Sequence, residues 1–505
     1  MVERNLKRKM QIVKKNCLNV SVPMNSTRML NNFKTLTIIH TNDVHGSVLE
    51  EKTGEIGFPK VSTFVKKNRD EKDNVVLLDA GDVFHGKVYT NLTKGKIILD
   101  IMNSLNYDAL VPGNHDFNYG QDRLIELKDK AKFDVIAANV KDIESKQPFL
   151  SYIIKKLNSI KVGIFGLATP ETEYKTCKKN IEGLRFIDPV KVAREMVKKL
   201  KGKVDVIIAL SHLGEVGKYN SHDFAKLVPG IDLIIDGHSH DFLKNGRKVK
   251  DILIAQTGAS LKAVGYVTLK VLNNQVVYKK AELLYQKDLN KLEEDKKVKK
   301  IIDKALEKER HSLGEKIGHT DVNLNGEREF ARTSNTNLGV LIAKAMLERS
   351  GAEIAFLNGG GMRTSIPKGD ITVEKVINVL PFGNTLVEKE IKGEDIKKIM
   401  EIAVGEYPIQ MGGFPQIAGM KIKFDAKKEK GNKICEIKVN GKDLDPNRKY
   451  KMVMTNTTAE GGDDIYILSK YPLVNEYESC DEVLINYLRK HDVSSIDLSS
   501  NVIVK

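Results

Sequence analysis

The sequence predicts an α/β chain in two parts, on three observations. Between residues 35 and 286, short β-branched apolar runs of strand length alternate with lysine-rich segments whose apolar residues recur at helical spacing. A second part, from residue 314 to 505, opens with an extended segment, then a helical segment and a strand-like run. The 505 residues also exceed what one hydrophobic core usually organises, so two or more domains are expected.

Taken in order, residues 1–34 are basic and acid-poor, with Lys7-Arg8-Lys9 and Lys14-Lys15. They lack the apolar core of about 7–15 residues that a secretory signal needs, so they read as a disordered tail and the chain as cytoplasmic, with export the alternative. Met24 or Met29 serves equally well as a start. Residues 35–286 form the first domain. Its strands are expected at Leu36-Thr37-Ile38-Ile39, Val75-Val76-Leu77-Leu78, Asp108-Ala109-Leu110-Val111, Val206-Ile207-Ile208-Ala209-Leu210 and Ile231-Asp232-Leu233-Ile234-Ile235, with an amphipathic helix over 190–200. Residues 287–313 carry Leu292, Val298, Ile301 and Leu306 at helical spacing among many charges and read as a solvated linking helix. The second domain, 314–505, opens with an extended segment and a helix over 337–349 that stops at Ser350-Gly351. In it the run Ile354-Ala355-Phe356-Leu357 leads into Gly359-Gly360-Gly361-Met362-Arg363, a turn whose amides, with Arg363, suit an anion.

Each of the five first-domain runs is followed by metal-binding side chains. They are Asp43 and His45, Asp82, Asn114 with His115, His212, and His238 with His240. Strand ends hold loops rigidly enough to gather side chains from distant parts of a sequence, so the set is expected on one edge of a sheet. A dinuclear site needs a carboxylate that bridges two cations, imidazoles that complete each shell, and open positions for substrate oxygen and water. A lone Asp-x-His is usually a turn or a cap. Five such motifs in order on strand ends point instead to a two-metal phosphoester hydrolase.

The formal charge is +15, yet the lysines are scattered, Trp is absent and no aromatic-interleaved basic module is present, so no nucleic-acid partner is expected. No apolar stretch approaches the roughly 18 residues of a spanning helix. Cys17, Cys177, Cys435 and Cys480 are far apart and read as free thiols. There is no internal repeat and no low-complexity segment.

The motifs together resemble the 5'-nucleotidase family of the calcineurin-like metallophosphoesterases. The resemblance rests on Thr41-Asn42-Asp43-Val44-His45-Gly46, Asp79-Ala80-Gly81-Asp82, Gly113-Asn114-His115-Asp116-Phe117, Ser211-His212-Leu213-Gly214 and Gly237-His238-Ser239-His240. In the second domain it rests on Asn358 through Arg363, Leu380-Pro381-Phe382-Gly383-Asn384, Phe414 through Gly419 and Gly461-Gly462-Asp463. It implies a four-layer αββα first domain, a linking helix and a second α/β (α+β) substrate-binding domain. It implies one cation held by Asp43, His45, Asp82 and His240 and another by Asp82, Asn114, His212 and His238, with a water between them that attacks phosphorus in line. Mn, Zn, Fe and Co suit such shells comparably. His115 is implied as a non-ligand partner of the phosphoryl group or leaving oxygen. Arg328, Arg332, Arg363 and Asn358 are implied to grip the nucleotide, Asp463 the ribose hydroxyls, and Phe382 to stack one face of the base.

Two positions depart from the family pattern. The residue that orients His115 is Asn118 where the family often has Asp; its amide can accept a hydrogen bond from the ring but cannot stabilise imidazolium by charge, which weakens a general-acid role and is reminiscent of the related 2',3'-cyclic-nucleotide phosphodiesterases with 3'-nucleotidase activity. The second stacking aromatic should fall at Thr457, which leaves Tyr466 as the nearest substitute. The implied activity is hydrolysis of nucleoside 5'-monophosphates or related nucleotides. Cyclic-nucleotide or UDP-sugar hydrolysis is the alternative on the same scaffold, and a nucleotide-binding or adhesion protein with a degenerate site is the alternative outside enzymes.

Overall fold

The computed structural model describes residues 33–505 apart from Cys177. The basic tail as far as residue 32, with Cys17, and Cys177 itself lie outside the described residues. Strands of the first part, in chain order, are β1 (Lys34–Thr41), β2 (Val75–Asp79), β3 (Ala109–Leu110), β4 (Asp134–Val135), β5 (Tyr152–Lys156), β6 (Lys161–Ala168), β7 (Val206–His212), β8 (Leu233–Ile235), β9 (Arg247–Val249), β10 (Ile252–Ala255), β11 (Ala263–Leu272) and β12 (Gln275–Tyr285). They form two six-stranded sheets, ordered β12-β11-β1-β2-β3-β4 and β9-β10-β8-β7-β6-β5. β1, β2 and β3 run parallel, as do β6, β7, β8 and β10.

Alternation along these strands explains the stacking. Leu36 and Ile38 on β1, Val76 and Leu78 on β2, and Ile208 and Leu210 on β7 share one fully buried apolar layer, so the two sheets pack face to face. Ile39 and Leu77 point the other way. They meet Val61 and Val65 of helix α1 (Phe58–Glu71) and Ile97 and Ile101 of α2 (Lys96–Leu105). On the far face of the second sheet, Phe165 and Ala209 meet Val192, Met196 and Leu200 of α4 (Pro189–Leu200), which follows the single-turn α3 (Thr172–Lys175). The result is four layers, helix, sheet, sheet, helix, as the family resemblance implies.

Two expectations are corrected here. The ligand-bearing strands do not share one sheet edge. β1, β2 and β3 belong to one sheet and β7 and β8 to the other, so the site lies where the ends of two stacked sheets converge. The charged stretch 287–313 is solvated on one face only. After a short turn of helix (Gln286–Leu289), α5 (Lys296–Leu313) starts on an Asp295 cap and buries Val298 and Ile302 completely in the core beneath α1 and α2. Its lysines cover only the outward face.

In the second part a five-stranded sheet is ordered Pro415–Ala418, Ile354–Asn358, Lys449–Thr455, Thr385–Lys392, Leu473–Ser479. Its two faces carry separate cores. Leu338, Leu341 and Met346 of α6 (Asn337–Ser350) pack with Leu357 and Val453 on one face. Ile396, Ile399 and Met400 pack with Phe356 and Met454 on the other. α6 ends at Gly351 in the left-handed region, φ 68°, the stop its sequence predicts. Among the described residues no helix is long and apolar enough to cross a membrane, and Cys435 and Cys480 are free thiols.

Candidate metal centre

β1 delivers Asp43 into the space between the sheet ends, completely buried. Its carboxylate accepts the His238 amide at 2.9 Å and the Asn42 side-chain amide at 2.8 Å, and Asn42 is pinned in turn by the carbonyl of Gly258 and the amide of Thr257. The Nε2 atoms of His45 and His240 approach each other to 3.0 Å and lie 3.9 and 3.3 Å from Asp43 Oδ1. Three donors thus converge on one point. A second group adjoins it: Asp82 Oδ2 is 3.1 Å from His212 Nε2, and Asp82, His212 and His238 can offer ligand atoms to one ion. His212 donates through Nδ1 to the carbonyl of Ala80 at 2.5 Å, which fixes the ring and aims Nε2 at Asp82. Asn114 gives its amide to the carbonyl of Lys175 at 3.2 Å, and its buried Oδ1 has no hydrogen-bond partner among the described residues. An orphaned buried acceptor of this kind fits a cation.

Backbone strain marks the same places. Asp43, His45, Asp82, His238 and His240 all have φ between 45° and 79°, a region uncommon for residues other than glycine. Buried aspartates brace the loops at Asp82 and His212. Asp116 accepts the amides of Asp82, Val83, Phe84 and Gly113 at 2.8–2.9 Å. Asp236 accepts the amides of Leu213 and Gly214 and the hydroxyls of Ser211 and Ser221. Asp79 accepts the Gly81 amide at 2.8 Å. Sequence reasoning passed over these three, although each lies within a few residues of a ligand at a strand end.

Electrostatics favours cation-ready protonation states. Burial opposes ionisation of Asp43 and Asp82, but His240 beside the first and His212 beside the second hold both carboxyls below the usual range. Burial and the neighbouring His240 push His45 down to about 3, so its ring is a neutral donor. His212 is the exception: against the effect of its burial, the Asp82 and Asp43 carboxylates drive it up to about 10, so its Nε2 gives up a proton when a cation takes that position.

His115 and Asn118 are also brought together, in the opposite sense from the expected one. Asn118 Nδ2 donates to His115 Nδ1 at 3.1 Å and to His85 Nδ1 at 3.2 Å, because its Oδ1 is taken by the hydroxyl of Thr176 at 2.9 Å. The sequence reading had the amide accepting from the ring. His85, stacked on His115 with centroids 6.0 Å apart, was not anticipated at all.

The second part supplies a wall. Glu476 Oε1 stands 3.7 Å from His115 Nε2 and accepts the Thr385 hydroxyl at 2.6 Å. A cavity of about 420 Å³ is bounded by Asp82, Asn114, His115, His238 and His240 on one side and Lys389 and Glu476 on the other. Another, about 260 Å³, joins His45, His85 and His240 to Phe382, Asn456 and Asp481. Burial pushes the Asp481 carboxyl up to about 6. A folded-state pKa above the ordinary 3.8 means that stability is intact below that value and is lost as pH rises through about 6. Asp481→Asn is therefore expected to stabilise the chelated protein by about 2–3 kcal/mol near pH 8 and by nothing near pH 3. Urea unfolding at the two pH values checks this, and an equal effect at both would contradict it.

The arginine set forms a separate cluster. Asn358 donates to Asp463 at 2.7 Å, the Arg363 guanidinium lies 5.3 Å over the Phe382 ring, and Arg332, its pKa lowered by burial and by the charges of Arg328 and Arg363, lies among them. None of the three arginines lines either cavity described above. Phe382, which does, is the link. The glycine turn is corrected: the amides of Gly359 and Gly360 are spent on the carbonyls of Phe414 and Gly412, and a side chain at Gly359 would collide with the Ala331 carbonyl. Gly359 and Gly360 thus serve close backbone packing, and their amides are not free for an anion.

Two stacked sheets whose strand ends carry this donor set define a metallophosphoesterase. Residues 36–242 match the calcineurin-like phosphoesterase model and residues 316–470 match that of the 5'-nucleotidase C-terminal domain. The chain belongs to the 5'-nucleotidase family, whose phosphoester hydrolases depend on divalent metal. It is 30% identical to the 5'-nucleotidase of Homo sapiens over 91% of this chain and 89% of that one. It is 32% identical to the trifunctional nucleotide phosphoesterase protein YfkN of Bacillus subtilis over 86% of its own length, and spans 32% of that longer protein. A solved 5'-nucleotidase precursor from Thermus thermophilus superposes with a TM-score of 0.58 at 30% identity, covering 93% of this chain and 99% of that one.

Proposed function

We propose that the chain removes phosphate from nucleoside 5'-monophosphates and related nucleotides, using two divalent cations that share Asp82. Asp43, His45 and His240 complete the first shell, and Asn114, His212 and His238 the second. The observation that carries the reading is the pair of adjoining donor groups, Asp43-His45-His240 and Asp82-His212-His238, with the orphaned Asn114 Oδ1 beside the second. Bound divalent cations supply Lewis acidity and make a water nucleophilic at neutral pH. The donor set, mixed imidazole, carboxylate and amide oxygen, suits Mn, Zn, Fe or Co.

The remaining work falls to side chains. With Nδ1 accepting from Asn118, a neutral His115 carries its proton on Nε2, the atom that faces the cavity. That N–H would hydrogen-bond a phosphoryl or leaving oxygen, while Arg328, Arg332 and Arg363 orient the rest of the nucleotide, Asp463 its ribose and Phe382 its base. An amide cannot stabilise imidazolium by charge, so the general-acid role of His115 is weakened here. Asn118→Asp is expected to raise turnover of AMP several-fold, about 1 kcal/mol in the barrier, and to change turnover of an activated aryl phosphate little. An equal effect on both substrates would show that position 118 does not tune His115.

Thr457 is exposed and offers no ring opposite Phe382, and Tyr466, also exposed, bonds Asp464. Modest discrimination among bases follows. Together with Asn118, this keeps cyclic nucleotides and nucleotide sugars as a second reading. Steady-state hydrolysis of AMP, 3'-AMP, 2',3'-cyclic AMP, UDP-glucose and ribose 5-phosphate with Mn²⁺ tests the proposal. AMP should have the highest kcat/KM, and a preference for the cyclic or sugar substrate would replace it.

A further inference from the structure

The segment from Glu171 to Thr176 contains none of the donors discussed above, yet three of its groups touch the residues around the second cation. The Lys175 carbonyl accepts the Asn114 amide at 3.2 Å, which turns Asn114 Oδ1 inward. Glu171 Oε2 lies 3.2 Å from His238 Nε2. The Thr176 hydroxyl donates to Asn118 Oδ1 and so decides which end of that amide meets His115. Asn114 and His238 are both assigned above to the same cation.

The ordinary explanation for Glu171 and Lys175 is an i,i+4 ion pair on a helix surface, and their 2.9 Å contact has that spacing. Burial argues otherwise. Glu171 is 5% exposed, at the N-cap of a helix of one turn that such a pair does little to stabilise. Room for its other oxygen is left by Gly217, φ 95°, where a Cβ would sit 2.7 Å from Glu171 Oε1. Lys175 Nζ lies 2.9 Å from both Glu171 Oε2 and His238 Nε2, and Oε2 lies 3.2 Å from that Nε2, so with the ring proton on Nε2 the carboxylate oxygen accepts from both. A carboxylate on one imidazole nitrogen fixes the tautomer and leaves the other nitrogen, Nδ1, for a cation.

We propose that Glu171 is a positioning residue for the second cation: it holds His238 by Nε2, balances its charge with Lys175, and through the segment they share keeps Asn114 Oδ1 aimed at the same ion. The inference rests on the two-cation reading above. It makes the two ions separable, because Asp43, His45 and His240 have no contact with Glu171 or Lys175 in this arrangement of hydrogen bonds and ion pairs among the described residues.

The test is calorimetric titration of chelated full-length protein with Mn²⁺, wild type against Glu171→Gln. Wild type should bind two equivalents. The variant should bind the first with unchanged affinity and the second about 10–100-fold more weakly. Should Glu171→Gln fail to fold, judged by its thermal midpoint without metal, Glu171→Asp keeps the charge but loses the reach and should give the same split. Two equivalents bound by the variant at wild-type affinity would overturn the inference and leave the two-cation reading standing. Equal weakening of both would also overturn it. Fewer than two equivalents in wild type would remove the reading and the inference together.

Discussion

Asp82→Asn is expected to lower turnover of any phosphate ester at least about a thousandfold, roughly 4 kcal/mol of transition-state stabilisation. Its two oxygens have different duties. Oδ2 faces His212 Nε2 at 3.1 Å, and Oδ1 accepts the His115 amide at 2.8 Å. An amide in its place keeps the volume and one acceptor, so the fold survives, but it removes the charge that two cations would share and presents N–H where a ligand oxygen is needed. Phosphate release and metal stoichiometry on the same preparation check this. Near-normal turnover with two ions bound would remove Asp82 from the role of bridge.

The largest effect on stability should come from Asp116→Ala. Its carboxylate is the acceptor for four backbone amides, those of Asp82, Val83, Phe84 and Gly113, in a place that water does not reach. Each orphaned buried donor costs about 1–3 kcal/mol, so a loss of at least about 4 kcal/mol is expected, at the high end for one substitution. Metal affinity should fall too, because the loop that carries Asp82 at φ 57° then loses the acceptor for three of its amides. Urea unfolding of the chelated protein measures the first effect. A change within about 1 kcal/mol would mean that the loop is held by something else.

The sequence made the donors legible because their signal is local: an apolar β-branched run that ends in Asp, His or Asn is visible within ten residues. It also made the α/β class legible, since strand and helix periods differ. What it left hidden is tertiary. Nothing near Ile39 or Leu210 says that their strands lie in different sheets, which is why one sheet edge was expected. Charge density masked Val298 and Ile302, whose burial is set by α1 and α2. The turn of the Asn118 amide is decided by Thr176, and Glu171 meets His238 across 67 residues of sequence. Such second partners have no spacing rule. Positive φ at Asp43 and His240 is likewise invisible in side-chain identity. Of the arginine cluster, Arg328 and Arg332 were found only by resemblance, and its separation from the metal residues, with Phe382 between, is a property of how the two parts pack.

The most direct measurement is phosphate release from AMP by fully chelated protein as Mn²⁺ is returned in known equivalents per chain. Activity should be absent without metal, remain low after the first equivalent, and reach its plateau at the second. Full activity in chelator, or a plateau at one equivalent, would contradict a reaction that depends on two cations joined by Asp82.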